Sequence, residues 1–146
     1  VSRDWVGRDA GKIAAAIGLQ VPAQTRLLFV ETPASHPFAV TELMMPVLPV
    51  VRVANVEEAI ALAVQLEGGC HTAAMHSRNI DNMNQMANAI DTSIFVKNGP
   101  CIAGLGLGGE GWTTMTITTP TGEGVTSART FVRLRRCVLV DAFRIV

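Results

Sequence analysis

Thiols, imidazoles, clustered glycines and isolated carboxylates are the groups in this chain that could do chemistry, and their spacing limits what that chemistry can be. The cysteines are Cys70, Cys101 and Cys137. A cysteine nucleophile needs a base within reach and a helix N-terminus or cationic neighbour to lower its pKa. Cys137 stands in an alternating, strand-like run and reads as a small buried apolar residue. Cys70 precedes His71, but neighbours on a strand point to opposite faces, so the two do not form a dyad. Cys101, in "KNGPCIAG", lies on a loop that could border a pocket; its plain reading is structural. His71 and His76 are five apart and face opposite ways, and His36 is distant. No spacing of Cys, His, Asp or Glu resembles a zinc or iron site.

The run "GLGLGGEG" contains a formal G-x-G-x-x-G at Gly104, Gly106 and Gly109. A dinucleotide site needs those glycines between a strand and a helix, so that the helix N-terminus meets the pyrophosphate. Here a loop precedes and "WTTMTITT" follows, so the expectation is a flexible surface loop near a site. In "TELMMPVLPV", Glu42 stands ahead of two methionines and an apolar run from Pro46 to Val51. A carboxylate can accept two hydrogen bonds at once, which suits the vicinal hydroxyls of a ribose. On the residues alone the exposed-turn reading of Glu42 carries more weight, because lone glutamates mostly face water.

These residues must be positioned by elements whose order is readable. Ala10, Ile13, Ala14 and Ile17 have helical spacing, with Gly18 as the C-cap. "RLLFVE" from Arg26 is a strand, and Val47–Val53 reads as a strand apolar on both faces, as in the middle of a covered parallel sheet. A helix follows, capped by Asn55 with Glu58 three residues on and with Val56, Ile60, Ala63 and Val64 on one face; Gly68 and Gly69 end it. "HTAAMHS" is a strand, "RNIDNMNQMANAID" a helix with Ile80, Met83, Ala87 and Ile90 in register, and "TSIFVK" a strand. Strand and helix alternating at these intervals predict crossover units on a parallel sheet. After Gly99 the chain is glycine-rich to Gly111, and "WTTMTITT", "ARTFVRL" and "RCVLVDAF" then read as β. A threonine-rich arm on an α/β body suits pairing with another subunit.

Composition narrows the partners. The chain has 146 residues, about one domain, of which 49% are hydrophobic and 16% charged, so apolar surface is expected to face another chain or domain. Twelve basic and twelve acidic residues cancel, which builds no one-signed field for nucleic acid or an anionic membrane. The basic cluster "RLRRC" alternates with Leu134 and reads as a solvated strand face. No apolar stretch reaches the roughly 18 residues of a membrane span. Three scattered cysteines suit reduced thiols in a cytoplasmic compartment.

Three segments resemble a known family. They are "HPFAVTELMMPVLPVVRVANVEEAIALA", "HTAAMHSRNIDNMNQMANAIDTSIFVKNGP" and "GLGLGGEGWTTMTITTPTGEGVTSARTFVRLRRCVLVD". Together they resemble the C-terminal part of the aldehyde dehydrogenase superfamily, over essentially the whole chain and in order. The resemblance is to the CoA-acylating branch, nearest its propionaldehyde members from propanediol-degrading bacterial microcompartments, with the acetaldehyde members close behind.

The resemblance implies an α/β fold: residues 1–111 as the C-terminal part of the catalytic domain, and 112–146 as a β-rich oligomerisation arm and terminal strand. The family segment E-x-F-G-P, whose glutamate holds the nicotinamide-side ribose of NAD, falls on Glu42, Met44, Met45 and Pro46; the ends are kept and the middle is changed. This reverses the reading of Glu42, which becomes a cofactor ligand together with Pro46. His71 of the "HT" pair is implied to lie near the path of CoA, as a contact or gate. Asn98, Gly99, Pro100, Cys101 and Ile102 correspond to the lining of the aldehyde pocket. The catalytic cysteine and the nucleotide-binding domain are implied to lie upstream of Val1. No metal is implied, and the chain alone is expected to be inactive. The implied parent oxidises propionaldehyde or another short aldehyde with NAD and CoA, as a homo-oligomer in the cytoplasm inside a microcompartment. A non-catalytic α/β association module and a non-acylating aldehyde dehydrogenase are the alternatives.

Overall fold

The computed structural model describes residues 2–68, 71–109, 111–117, 125–138 and 140. Regular structure begins with a 3-10 turn at Arg3–Trp5 and helix α1 at Ala10–Ala16. Ala10 and Ala14 bury α1. The helix stops because Gly18 adopts φ 78, which lets Gly18 N–H reach the Ala15 carbonyl at 3.0 Å and Leu19 N–H the Ala14 carbonyl at 2.9 Å. That pair of bonds satisfies the last carbonyls.

Strands β1 (Leu28–Glu31) and β2 (Val47–Val50) pair in parallel, Leu28 opposite Val47 and Glu31 opposite Val50. The segment between them holds the one-turn helix α2 (Pro37–Val40). Helix α3 (Val56–Glu67) begins at Asn55, whose Oδ1 accepts the Glu58 N–H at 2.8 Å, while Glu58 Oε2 accepts the Ala54 N–H at 3.0 Å. Ile60 is buried on its inner side, Val64 is exposed, and Gly68 closes it at φ 49. Strands β3 (Thr72–Met75) and β4 (Ile94–Lys97) form a second parallel pair, with helix α4 (Ile80–Ala89) in their connection. Contacts divide the described residues into two units. One runs through Gly68 and adds Asn84–Ile90; the other holds His71–Met83 and the residues from Asp91 on.

Parallel strands with helices in the connections are as expected, and four differences carry physical content. Among the described residues each strand hydrogen-bonds a single neighbour, as two parallel pairs. β2 is not covered on both faces, for Leu48 and Val50 are exposed while Val47 and Pro49 are half-buried. The buried stripe of α4 is Met83, Met86 and Ile90, and Ile80, expected inside, is exposed. Beyond Gly111 the expected strands are absent among the described residues. Ile117 and Val125 form one isolated antiparallel bridge, Ala128–Phe131 is a 3-10 helix, and 132–138 carry no ladder. β propensity only states that a segment suits a pleated surface; without a partner strand it forms nothing. Thr118 and Thr119 of "WTTMTITT", Leu139 and the residues beyond Val140 of "RCVLVDAF", and Gly69 and Cys70 lie outside the described residues.

Candidate functional site

Glu42 lies between α2 and β2. His36 caps α2 with Nδ1, which accepts the Phe38 N–H at 3.0 Å, and its ring meets Phe38 edge-on with centroids 5.1 Å apart. The chain then alternates: Glu42 out, Leu43 buried, Met44 out, Met45 half-buried. Met44 takes φ 52 and its carbonyl accepts the Gly7 N–H at 3.0 Å. Met45 lines an apolar cavity of about 300 Å³ together with Trp5, Ile13, Phe38 and Val47. Pro46 is half-buried, its carbonyl accepts the Leu28 N–H at 2.9 Å, and it borders a cleft of about 660 Å³ lined also by Arg8, Lys12, Thr25 and Arg26. The Glu42 carboxylate is exposed and makes no hydrogen bond or ion pair among the described residues. An unspent, two-oxygen acceptor fixed by an anchored neighbour on its C-terminal side is a fit for a diol.

The remaining candidates belong to the second unit, at opposite ends of the β3–β4 pair. His71 stands before β3: its carbonyl accepts the Ile94 N–H at 3.1 Å, and its Nδ1 lies 2.6 Å from Thr72 Oγ1. Asn98–Ile102 leaves the C-terminal end of β4. Four strand residues separate these ends, ~13 Å at 3.3 Å per residue, so His71 and the loop do not meet as one cluster. Pro100 begins a 3-10 turn (Cys101–Leu105) and its carbonyl accepts the Ala103 N–H at 2.9 Å. Cys101 and Ile102 are exposed, and the Cys101 thiol is free. Asn98 holds φ 55, and its carboxamide bonds the main chain of Ser77. The sequence signal for that role was the Asn-Gly pair after a strand, a turn signature.

The three glycines of the formal fingerprint have a different use from the flexible loop expected. A Cβ on Gly104 would run into the Ile94 side chain, and one on Gly109 into the Ala103 carbonyl. Gly106 takes φ 86, and a Cβ there would sit 2.7 Å from the Trp112 carbonyl. They are glycines of close approach, and no α-helix follows them among the described residues. Nor do the described residues hold a group of His, Cys, Asp and Glu able to bind a metal, or a helix long and apolar enough to cross a membrane.

The frame is α/β with parallel strands, and the family follows from comparison. The model of the aldehyde dehydrogenase family matches residues 25–114, and the chain belongs to that family. Its relatives are CoA-acylating members. It is 97% identical over 147 aligned positions to the acetylating acetaldehyde dehydrogenase of Salmonella typhimurium, covering all of this chain and 32% of that protein. The propionaldehyde dehydrogenase of Rhodopseudomonas palustris, solved with bound CoA and an acylated cysteine, superposes with a TM-score of 0.89 at 50% identity, over 94% of this chain and 32% of that one. An engineered glycolyl-CoA reductase with bound NADP+ gives a TM-score of 0.89 at 49% identity, again over 94% of this chain and 32% of that one. The chain thus spans about a third of the length of the relatives it matches.

Proposed function

We propose that this chain is part of an NAD-dependent, CoA-acylating aldehyde dehydrogenase that converts a short aldehyde, CoA and NAD to acyl-CoA and NADH through a thioester on a cysteine outside these residues. The observation that carries it is the match of the whole chain to acylating enzymes. Acetaldehyde is the first substrate to test, given 97% identity to an acetaldehyde enzyme against 50% to a propionaldehyde one, and propionaldehyde the second. When bound, NAD supplies the hydride acceptor and CoA the thiol that takes the acyl group.

Within this chain Glu42 accepts the ribose hydroxyls and so limits the positions of the nicotinamide, an orientation effect. Pro46 fixes the chain behind it. The loop Asn98–Ile102 shapes the aldehyde pocket, and His71 lines or gates the path of CoA. Residues 112–146 form the oligomerisation arm, supported by exposed Phe131, Leu134, Val138 and Val140 beside Arg133, Arg135 and Arg136. The working compartment is the interior of a bacterial microcompartment.

The test joins this chain to the remainder of the Salmonella relative. NADH must form from acetaldehyde only when CoA is present, and the chain alone must form none. NADH formation without CoA would mark a hydrolytic dehydrogenase instead, and no NADH from any short aldehyde would end the proposal.

A further inference from the structure

Both edges of the Asn98 carboxamide face the main chain of Ser77. The Ser77 N–H donates to Asn98 Oδ1 at 2.7 Å, and Asn98 Nδ2 donates to the Ser77 carbonyl at 2.9 Å. These are the bonds that a neighbouring strand would make, supplied by a side chain. Asn98 also donates its own N–H to the Met75 carbonyl at 2.9 Å, so the β3–β4 ladder continues past Lys97 and closes on Ser77. The other Nδ2 hydrogen faces Met83 Sδ at 3.6 Å. A carboxamide has two donors, and here both are used, leaving none for a substrate.

The bonding extends from Ser77 into α4. Ser77 Oγ accepts the Asn79 N–H at 3.0 Å, and Asn79 Oδ1 accepts the Asp81 and Asn82 N–H groups at 2.9 and 3.2 Å. One chain of polar contacts therefore ties the end of β4, the residue after β3 and the start of α4. Asn98 itself stays at φ 55, a left-handed conformation that asparagine tolerates better than other side chains. Immediately beyond it the loop is close-packed: a Cβ on Gly99 would lie 3.2 Å from Val96 Cγ1. The direction in which the chain leaves β4 is thus set at Asn98, before any residue of the loop can reach a pocket.

We infer that Asn98 is a positioning residue: its clamp on Ser77 fixes the exit of Gly99–Ile102 from β4, and through that loop the fit of the aldehyde, without Asn98 touching the aldehyde. The effect on aldehyde rests on the function proposed above; the clamp does not.

In the joined enzyme, three variants separate the components. Asn98→Ala removes the clamp, Asn98→Gly removes it while keeping φ free of strain, and Asn98→Asp keeps the acceptor for Ser77 N–H and loses both donors. Alanine and glycine should raise the KM for aldehyde on the order of tenfold, since misplacements of about 1 Å carry costs of that size or more, with the KM for NAD and for CoA unchanged. Hydrogen exchange at the Ser77 amide should accelerate by a similar factor in both, and in aspartate as well, because its second oxygen would face the Ser77 carbonyl that Asn98 Nδ2 bonds at 2.9 Å. A glycine variant indistinguishable from the parent would overturn the inference, as would a fall in kcat with every KM unchanged. If the joined parent makes no NADH, the functional proposal fails separately, and unaltered Ser77 exchange in Asn98→Ala would then refute the clamp on its own.

Discussion

Gly104→Ala adds one methyl group where the structure has no room for it. The new Cβ would run into the Ile94 side chain and lie 3.3 Å from Val96 Cγ2, and both neighbours are buried, at 6% and 9% exposure. Ile94 cannot retreat with its backbone, because its N–H is held by the His71 carbonyl at 3.1 Å and its register against β3 is fixed opposite Thr72. Either Ile94 leaves its rotamer, at about 0.5–1.5 kcal/mol, or the 3-10 turn lifts from β4, and overpacking of this kind costs about 1–3 kcal/mol. Gly104 has an ordinary backbone, so alanine brings no strain of its own and regains a few tenths to about 1 kcal/mol by restricting the unfolded chain. The net expectation is a local loss of about 1–2 kcal/mol. Hydrogen exchange of the joined enzyme under native conditions should therefore run roughly 5- to 30-fold faster at the Ile94 and Gly106 amides, which bond His71 and Ala103. Ile94→Leu moves the branch away from the backbone at nearly constant volume, so the pair Gly104→Ala with Ile94→Leu should recover most of the loss. Exchange in Gly104→Ala within twofold of the parent, or strict additivity of the two substitutions, would refute the packing role.

Two further tests address other parts of the chain. Glu42→Ala in the joined enzyme should raise the KM for NAD or slow hydride transfer on the order of tenfold, a charge-assisted hydrogen bond being worth about 1.5–3 kcal/mol; unchanged steady-state kinetics and isotope effect would remove Glu42 from the cofactor site. Asn55→Ala deletes the acceptor that caps α3 at Glu58 N–H and should destabilise that helix by about 1 kcal/mol, read as faster exchange across its first turn; a change under 0.3 kcal/mol would show that Glu58 and water suffice.

The legible elements were those whose signals are local. Gly18 and Gly68 stop helices by their own backbone freedom, and Asn55 with Glu58 begins one through bonds spanning three residues, so each could be read from neighbours in sequence. Burial is not local. Ile80 continues the helical stripe of α4 as written, yet it sits at the first residue of the helix and is 57% exposed, while Met86, absent from the expected register, is 5% exposed. The tail shows the same limit more strongly: Val132, Leu134 and Val138 alternate like a strand and are all exposed, because the ladder that would make them one needs a partner that sequence does not supply. Among the site residues, Asn98 was legible as a turn residue after a strand, but its side-chain partners were not. The family resemblance implied a pocket; only the 2.7 and 2.9 Å bonds to Ser77, 21 residues earlier, show its side chain to be occupied.

The segment around Glu42 answers why a charged residue stands at the mouth of so apolar a run. In the family pattern the residue before the proline is glycine, and this chain has Met45 there. In this chain a left-handed turn stands at Met44, where the carbonyl is held by Gly7 N–H. Met45, next along, lines the apolar cavity with Trp5 and Phe38, where its flexible thioether packs among apolar neighbours. Leu43, 7% exposed, is the second anchor. With 43 and 45 fixed inward, 42 and 44 have no direction left but outward, and Glu42 leaves the surface from a backbone pinned just behind it and again at Pro46. The greasy run is therefore what orders the backbone beneath the carboxylate: a glutamate on a polar loop would sample many directions, whereas this one starts from a fixed backbone, and the cofactor role proposed for it would cost less conformational freedom.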